Sequence, residues 1–414
     1  MERTQVAVIG AGPAGLLLGR MLELAGVDAV VLEHRSRAHV EGRIRAGMLE
    51  HRTARLLEEL GLDERMRRKA AVHHGFEMRF DRKRHRIPMA ELTGGCTAVM
   101  YSQQEIVNDA IAARVASGLP LEFEVGDVRL DGVDTDDPKV RYRAADGSER
   151  VLACDFIAGC DGFHGVSRDA VPDGVLTTYR HDYPFAWLGV LADVPPSTFE
   201  LVYACHERGF ALHSMRSSEV SRFYLQVAPG EDLADWSDDR IWAELRLRLG
   251  TDDGWTLAEG AVTQKSVTAM RSFVTEPMRY GRLFLAGDAA HIVPPTAAKG
   301  LNLAAADVRL LADALCTWYE SGDRSGLDAY SDDALRGVWR AQQFSRSMTA
   351  LLHHDPASPM EWRLQHAELK HVCTSEAAMK NFCENYVGSP PAGRIHRRAS
   401  HAQEHAQKAE KSSS

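Results

Sequence analysis

At 414 residues the chain exceeds one ordinary core, so two or three domains are expected. Its 44% hydrophobic and 26% charged content describes a soluble globular protein, and a net charge of −9 leaves no basic field to hold nucleic acid. There is no run of about twenty apolar residues, which argues against a membrane span.

Residues 5–15 read QVAVIGAGPAG. The apolar run Val6-Ala7-Val8-Ile9 predicts a buried strand, and the spacing of Leu16, Leu17, Leu18, Met21 and Leu22 predicts a helix after it. Between them lies the spacing G-x-G-x-x-G. Gly10 permits the tight turn, Gly12 lets a pyrophosphate approach the backbone, and Gly15 lets the helix pack close on the strand. The helix N-terminus offers N–H groups and partial positive charge to a phosphate. A second strand, Ala29–Leu32, runs into Glu33, placed for a ribose hydroxyl. Helical patterns follow at 49–71 and 105–115, strands with Asp-Gly turns at 121–150, three strand-like runs at 198–227, and helical patterns at 236–249 and 307–318.

Two further motifs share one logic. DFIAGCDG at 155–162 and GRLFLAGDAAH at 281–291 are apolar strands that end in Asp-Gly or Gly-Asp. Asp161 and Asp288 would then stand at the carboxyl edge of a sheet, where open α/β sheets bind ligands. Lys299-Gly300-Leu301-Asn302 opens a helix whose N–H groups face an electron-rich ring.

Alternate residues of a strand share a face. At 201–205 this groups Leu201 with Tyr203; at 211–216, Leu212 with Ser214 and Arg216; at 221–227, Arg222 with Tyr224 and Gln226. Such a face is too polar for an ordinary core and suits a small aromatic acid. Arg216 can pair with a carboxylate through two parallel hydrogen bonds, Ser214 and Tyr224 can donate to it, and Tyr203 lies at the far end, at a phenol oxygen. A solvated sheet face is the competing reading.

The seven scattered cysteines contain no C-x-x-C, so reduced, cytoplasmic thiols are expected. His401, Glu404 and His405 match H-x-x-E-H, but the surrounding 396–414 is polar throughout; it reads as a disordered tail, and no metal is expected.

The motifs together resemble those of the FAD-dependent aromatic hydroxylases. GRIRAG at 42–47, CDGFHG at 160–165, YPFAWLG at 183–189, LFLAGDAAHIVPPT at 283–296, KGLNLAA at 299–305 and ENYVG at 384–388 carry the resemblance, over about residues 4–390. It implies an α/β chain (α+β overall). A Rossmann-like FAD-binding domain with a parallel sheet would occupy 1–180, an antiparallel-sheet substrate domain 181–279, and the ribityl motif with a helical C-terminal part 280–395. The glycine loop would hold the ADP part, the Asp161 motif would touch FAD, and the Asp288 motif would hold the ribityl chain. Arg43, Arg45 and Gln103 would contact FAD, with Arg45 near the pyrophosphate, and Arg222 would sit near the flavin ring.

The resemblance also implies the chemistry. NAD(P)H reduces FAD, and one oxygen of O₂ then enters a small phenolic acid at the ring carbon next to its phenolate. Pro295 presents its carbonyl near the substrate hydroxyl, with Thr296 beside it. A proton relay runs from the phenol through Tyr203 and Tyr386 to His73, which ends it at solvent; His74 is an adjacent alternative. A homodimer is implied. The nicotinamide would bind without a Rossmann domain of its own. The segment that tunes the donor departs from the family at His34 and His39, where arginine and tyrosine are common. Arg35 and Arg37 either hold a 2′-phosphate or are solvated, and both NADPH and NADH are expected to serve. His164 and Arg271 are further nicotinamide candidates. A flavin halogenase would carry W-x-W-x-I-P, which is absent. A simple FAD dehydrogenase would not need the tyrosine–histidine set, and a non-enzymatic FAD-binding protein would not need the polar sheet face.

Overall fold

The structure, a computed structural model, describes residues 2–43, 47–355 and 358–388. Arg45 and the 396–414 tail lie outside the described residues.

The strand Val6–Ile9 is buried at every position and sits inside a six-stranded sheet. The order is Arg279–Tyr280, Leu283–Leu285, Phe156–Gly159, Val6–Ile9, Ala29–Leu32, Leu121–Glu122, all parallel except the first. Unbroken apolar strands are what a parallel sheet covered on both faces requires. The helix Pro13–Ala25 starts on a proline, ends at Gly26 in the left-handed region, and packs against the helices Gln103–Ala116 and Lys299–Ser321. Arg114 is buried at this junction. Its guanidinium donates to the carbonyls of Gly19, Ala29 and Pro120, and so pins the helix Gln103–Ala116 to the first βαβ unit.

A second sheet has eight strands, in the order His291–Ile292, Ala261–Glu276, Thr177–Asp193, Ser221–Val227, Ala211–Met215, Val202–Ala204, Phe76–Phe80, Lys83–Ile87. Every pair is antiparallel except Val202–Ala204 with Phe76–Phe80. Its two faces serve different cores. One carries Leu188, Val190, Phe223 and Leu225 against Ile241, Trp242 and Leu245 of the helix Asp238–Leu249. The other carries Trp187, Tyr203 and Leu212 against Phe344, Met348, Phe382 and Tyr386 of the helices Ser325–Leu352 and Glu376–Tyr386.

The expected fold class is the one observed. The expected single helix over 49–71 is not: a strand, Met48–Glu50, comes first, and the helices His51–Glu59 and Glu64–Lys69 are separated at Gly61, whose φ of 69° interrupts right-handed winding. All seven cysteines are free thiols. Among the described residues no helix is long and apolar enough to cross a membrane.

Arg114→Met removes the donors of three main-chain carbonyls in a buried place. It should lower stability by about 2–4 kcal/mol, read as earlier unfolding in urea; an unmoved transition would show that these carbonyls do not depend on Arg114.

Candidate active site

Four chain segments reach one edge of the parallel sheet. The strands Val6–Ile9, Ala29–Leu32, Phe156–Gly159 and Leu283–Leu285 are adjacent and co-directional, so Gly10, Glu33, Asp161 and Asp288 follow at the same end. Gly10 has φ of 102°, and a Cβ there would lie 2.5 Å from the Cys160 carbonyl oxygen. A Cβ on Gly15 would lie 2.0 Å from the Gly10 carbonyl oxygen, which enforces the tight helix–strand approach. A Cβ on Gly12 would meet no described residue within 4 Å, which leaves space among them in front of the loop. Glu33 is buried and accepts from the Ala11 N–H at 2.8 Å, so the acid also braces the glycine loop. Asp161 accepts from Ser167 N–H and Oγ, both at 2.9 Å, through one oxygen; the other, Oδ1, is buried without a partner among the described residues, and burial raises this carboxyl above its ordinary value. Asp288 is exposed, and the Gly287 N–H beside it is held by Asp307 at 2.9 Å. The open space, the orphaned carboxylate oxygen and the exposed Asp288 fit an extended dinucleotide such as FAD.

Gln103 is half-buried at the start of its helix, close to Gly47. Arg43 is exposed. Among the described residues a Cβ on Gly300 would meet only Val293, at 4.0 Å, and Leu301 is half-buried. Asn302 is spent on the main chain: it accepts from Glu50 N–H and donates to the Met48 and Ala298 carbonyls.

On the large sheet, the register sets Tyr203 opposite Leu212, Leu212 opposite Tyr224, and Ser214 opposite Arg222. These side chains therefore share one face. Gly189 lies opposite Tyr224, and a Cβ there would come within 3.2 Å of the tyrosine ring. Ser214, Arg216 and Arg222 line a small cleft with Gly47, Met100 and Ser102. Arg222 Nη1 is buried without a partner among the described residues, and its guanidinium lies 5.6 Å from the Tyr224 ring. Burial, then the charge of Arg222, lowers the pKa of Arg216. Two neighbouring cations in a partly buried cleft favour an anionic ligand.

The Tyr203 and Tyr386 hydroxyls lie 2.8 Å apart, both buried. Phe76 stacks on Tyr386 at 4.7 Å and meets Tyr203 edge-on at 5.7 Å. Burial raises both phenols above their ordinary value. Tyr386 also donates to Met48 Sδ at 3.1 Å, and no bond joins it to His73. His73 is not at solvent. It is 1% exposed, neither ring nitrogen has a partner among the described residues, and burial pushes it down to about 4. The strand Ala71–His73 alternates, turning Val72 outward and His73 in; it is His74 that is exposed.

Sequence reasoning placed Thr296 beside Pro295 but missed its partner and the other groups that close this face. Thr296 and Thr349 share a hydroxyl bond of 2.8 Å beside Pro295, which is half-buried. Trp187 Nε1 donates to His353 Nε2 at 2.6 Å, while His353 Nδ1 lies 2.9 Å from the Thr349 carbonyl. Burial holds His353 neutral, down to about 3. Lys299 is buried and donates to Glu50 Oε1 and to the Tyr386 carbonyl. Their distance in sequence hid these partners.

The nicotinamide candidates fall on two elements. His34, Arg35 and His39 are exposed around the helix Arg37–Gly42, with His34 3.0 Å from Glu33. Arg271 lies 5.0 Å from the Phe163 ring, and His164 meets the same ring edge-on at 4.9 Å. Among the described residues no group of three or more metal-ligating side chains occurs.

Comparison with known proteins agrees with this geometry. Residues 3–345 match the family model described as FAD binding domain. The chain is 46% identical over 389 residues to p-hydroxybenzoate hydroxylase of Acinetobacter baylyi, covering 94% of this chain and 96% of that protein. It is 27% identical over 395 residues to rifampicin monooxygenase of Streptomyces venezuelae, covering 88% and 75%. The solved structure of p-nitrophenol 4-monooxygenase of Pseudomonas putida superimposes with a TM-score of 0.80 at 21% identity, covering 94% of this chain and 100% of that one; it is a likeness of fold.

An unfolded histidine titrates near 6.5, against about 4 for buried His73. As pH falls, the unfolded chain takes up the proton first. The stability from this group is full above about pH 6.5 and is lost as pH falls through about 4. His73→Gln should therefore flatten the acid-side fall in unfolding free energy by up to about 1.4 kcal/mol per pH unit. Equal slopes for the two proteins would mean that His73 is not held neutral.

Proposed function

The chain belongs to the FAD-dependent aromatic hydroxylases, and from that premise we propose that it converts 4-hydroxybenzoate to 3,4-dihydroxybenzoate, using O₂ and either NADPH or NADH. The observation that carries this reading is the buried hydroxyl pair Tyr203–Tyr386 at 2.8 Å, with Tyr203 on the same sheet face as Ser214 and Arg222. The 46% identity to p-hydroxybenzoate hydroxylase over nearly the whole chain supports it.

In this reading Arg216, Ser214 and Tyr224 bind the carboxylate, and Tyr203 meets the phenol at the opposite end, with the Pro295 carbonyl and Thr296 beside it. The glycine loop, Glu33, Asp161 and Asp288 hold FAD, with Arg43, Arg45, Gln103, Gly300, Leu301 and Asn302 around it and Arg222 near its ring. FAD, when bound, supplies the redox and oxygen chemistry. The protein's share is to orient the ring, exclude water and move one proton.

A free phenol titrates near 10 and is a weak carbon nucleophile until ionised. Tyr203 accepts the substrate proton as it passes its own to Tyr386, so no net charge is left in a buried pair. His73, neutral at ordinary pH and without a direct bond to Tyr386, takes up the proton that the pair releases. The resulting phenolate is electron-rich at the ortho carbon, where oxygen enters.

Oxidation of NADPH and of NADH should be fast only with 4-hydroxybenzoate present, and mass analysis should find 3,4-dihydroxybenzoate. Stimulated oxidation yielding only hydrogen peroxide would point to a relative such as 4-aminobenzoate as the true substrate. No stimulation would remove the carboxylate and phenol assignments. Tyr386→Phe should leave substrate affinity nearly unchanged while hydroxylation slows by about tenfold to a hundredfold. An unaltered rate and product yield would exclude the relay.

A further inference from the structure

Gln104 is the second residue of the helix Gln103–Ala116, and the proposed chemistry gives it no task. Its side chain nonetheless joins two distant segments. Nε2 donates to the Glu41 carbonyl at 2.8 Å, and Oε1 accepts from Arg216 Nη2 at 3.1 Å. The first partner belongs to the helix Arg37–Gly42 and the second directly follows the strand Ala211–Met215. The amide uses both ends at once: an apolar side chain loses both bonds, and a carboxylate loses the donor.

The backbone beneath it is fixed. Ser102 caps the helix by accepting from Glu105 N–H at 3.2 Å, and Tyr101 donates to Asp109, which also pairs with Arg65. Gln104 is thus a rigid arm rather than a loose surface group. Arg216 is a long side chain in a cleft shared with Arg222, whose like charge pushes against it. A guanidinium that is already oriented captures an anion without the further entropy cost of being fixed.

We infer that Gln104 is a positioning residue for carboxylate recognition, holding the Arg216 fork in the plane that a bound carboxylate needs. The inference rests on the proposed carboxylate role of Arg216. One of the five guanidinium N–H donors goes to Gln104, and that bond orients the rest of the planar group. The second bond, to Glu41, ties this orientation to the segment that also carries the exposed His34, Arg35 and His39.

The test uses the FAD-loaded enzyme, with ligand binding followed by the change in flavin absorbance. Two ligands are compared: 4-hydroxybenzoate and its neutral counterpart 4-hydroxybenzamide. Gln104→Leu should raise the Kd of the acid by about tenfold, the scale of one hydrogen bond to a charged group, and leave that of the amide nearly unchanged. Gln104→Glu should weaken the acid further than Leu does, because its carboxylate pairs with Arg216 and repels the ligand's. Arg216→Lys, which keeps the charge and loses the fork, serves as the reference and should weaken the acid selectively. Normal acid affinity in both Gln104 variants, with Arg216→Lys impaired, would overturn the role of Gln104 and leave the substrate site standing. Equal weakening of acid and amide in Gln104→Leu would also overturn it, as a general loosening of the cleft. Normal affinity in Arg216→Lys as well would overturn both readings.

Discussion

A sheet face that turns tyrosines, a serine and arginines inward can be buried only if its polar groups find partners, and this requirement organises the molecule. The partners come from the far end of the chain. Tyr203 is met by Tyr386, Trp187 by His353, and Gln226 by the His354 carbonyl and N–H, while Thr349 meets Thr296 on the loop that follows the parallel sheet. The helices Ser325–Leu352 and Glu376–Tyr386 are therefore more than an apolar cover. With His353 and His354 directly after the first of them, they supply the hydroxyl, imidazole and main-chain groups that let a polar pocket exist in a water-poor place.

Burial alone does not decide charge here. His353 and His291 are both almost fully buried, yet they are displaced in opposite directions. His353 is surrounded by Trp187, Phe185 and Phe210 and accepts an indole N–H, so desolvation holds it neutral. For His291 burial also works against the proton, but Asp307 at 2.6 Å outweighs it and holds the ring above its ordinary value. The same aspartate fixes Gly287, so this pair sets the turn from which Asp288 projects.

Much of this was legible in the residues, where the signal is local. The first βαβ unit follows from four apolar residues, three glycines and a run of leucines. The shared face of Tyr203, Ser214, Arg222 and Tyr224 follows from strand parity, and the observed register agrees with it. The rest was hidden for physical reasons. Thr177–Asp193 and Ala261–Glu276 are long strands whose outer halves face solvent, so they carry no apolar alternation there. The strand Ala71–His73 has three residues, too few for parity to say which histidine turns inward. Gln104, Thr349 and His353 act on partners more than fifty residues away, which no window on the sequence reports.

The edge of the parallel sheet is built from segments near residues 10, 33, 161 and 288. Its last wall is made only after two-thirds of the chain has left the ribosome, and the large sheet likewise waits for Ala261–Glu276 to pair with Thr177–Asp193. Non-local pairings of this kind are slow, because loop-closure entropy precedes any contact. During synthesis the glycine loop and its helix stand for some time without their neighbours, exposing apolar strands made to be covered on both faces. Assembly of the cofactor cradle is therefore a late, cooperative event, and partial chains ending before residue 283 lack a wall of it, however complete their first βαβ unit.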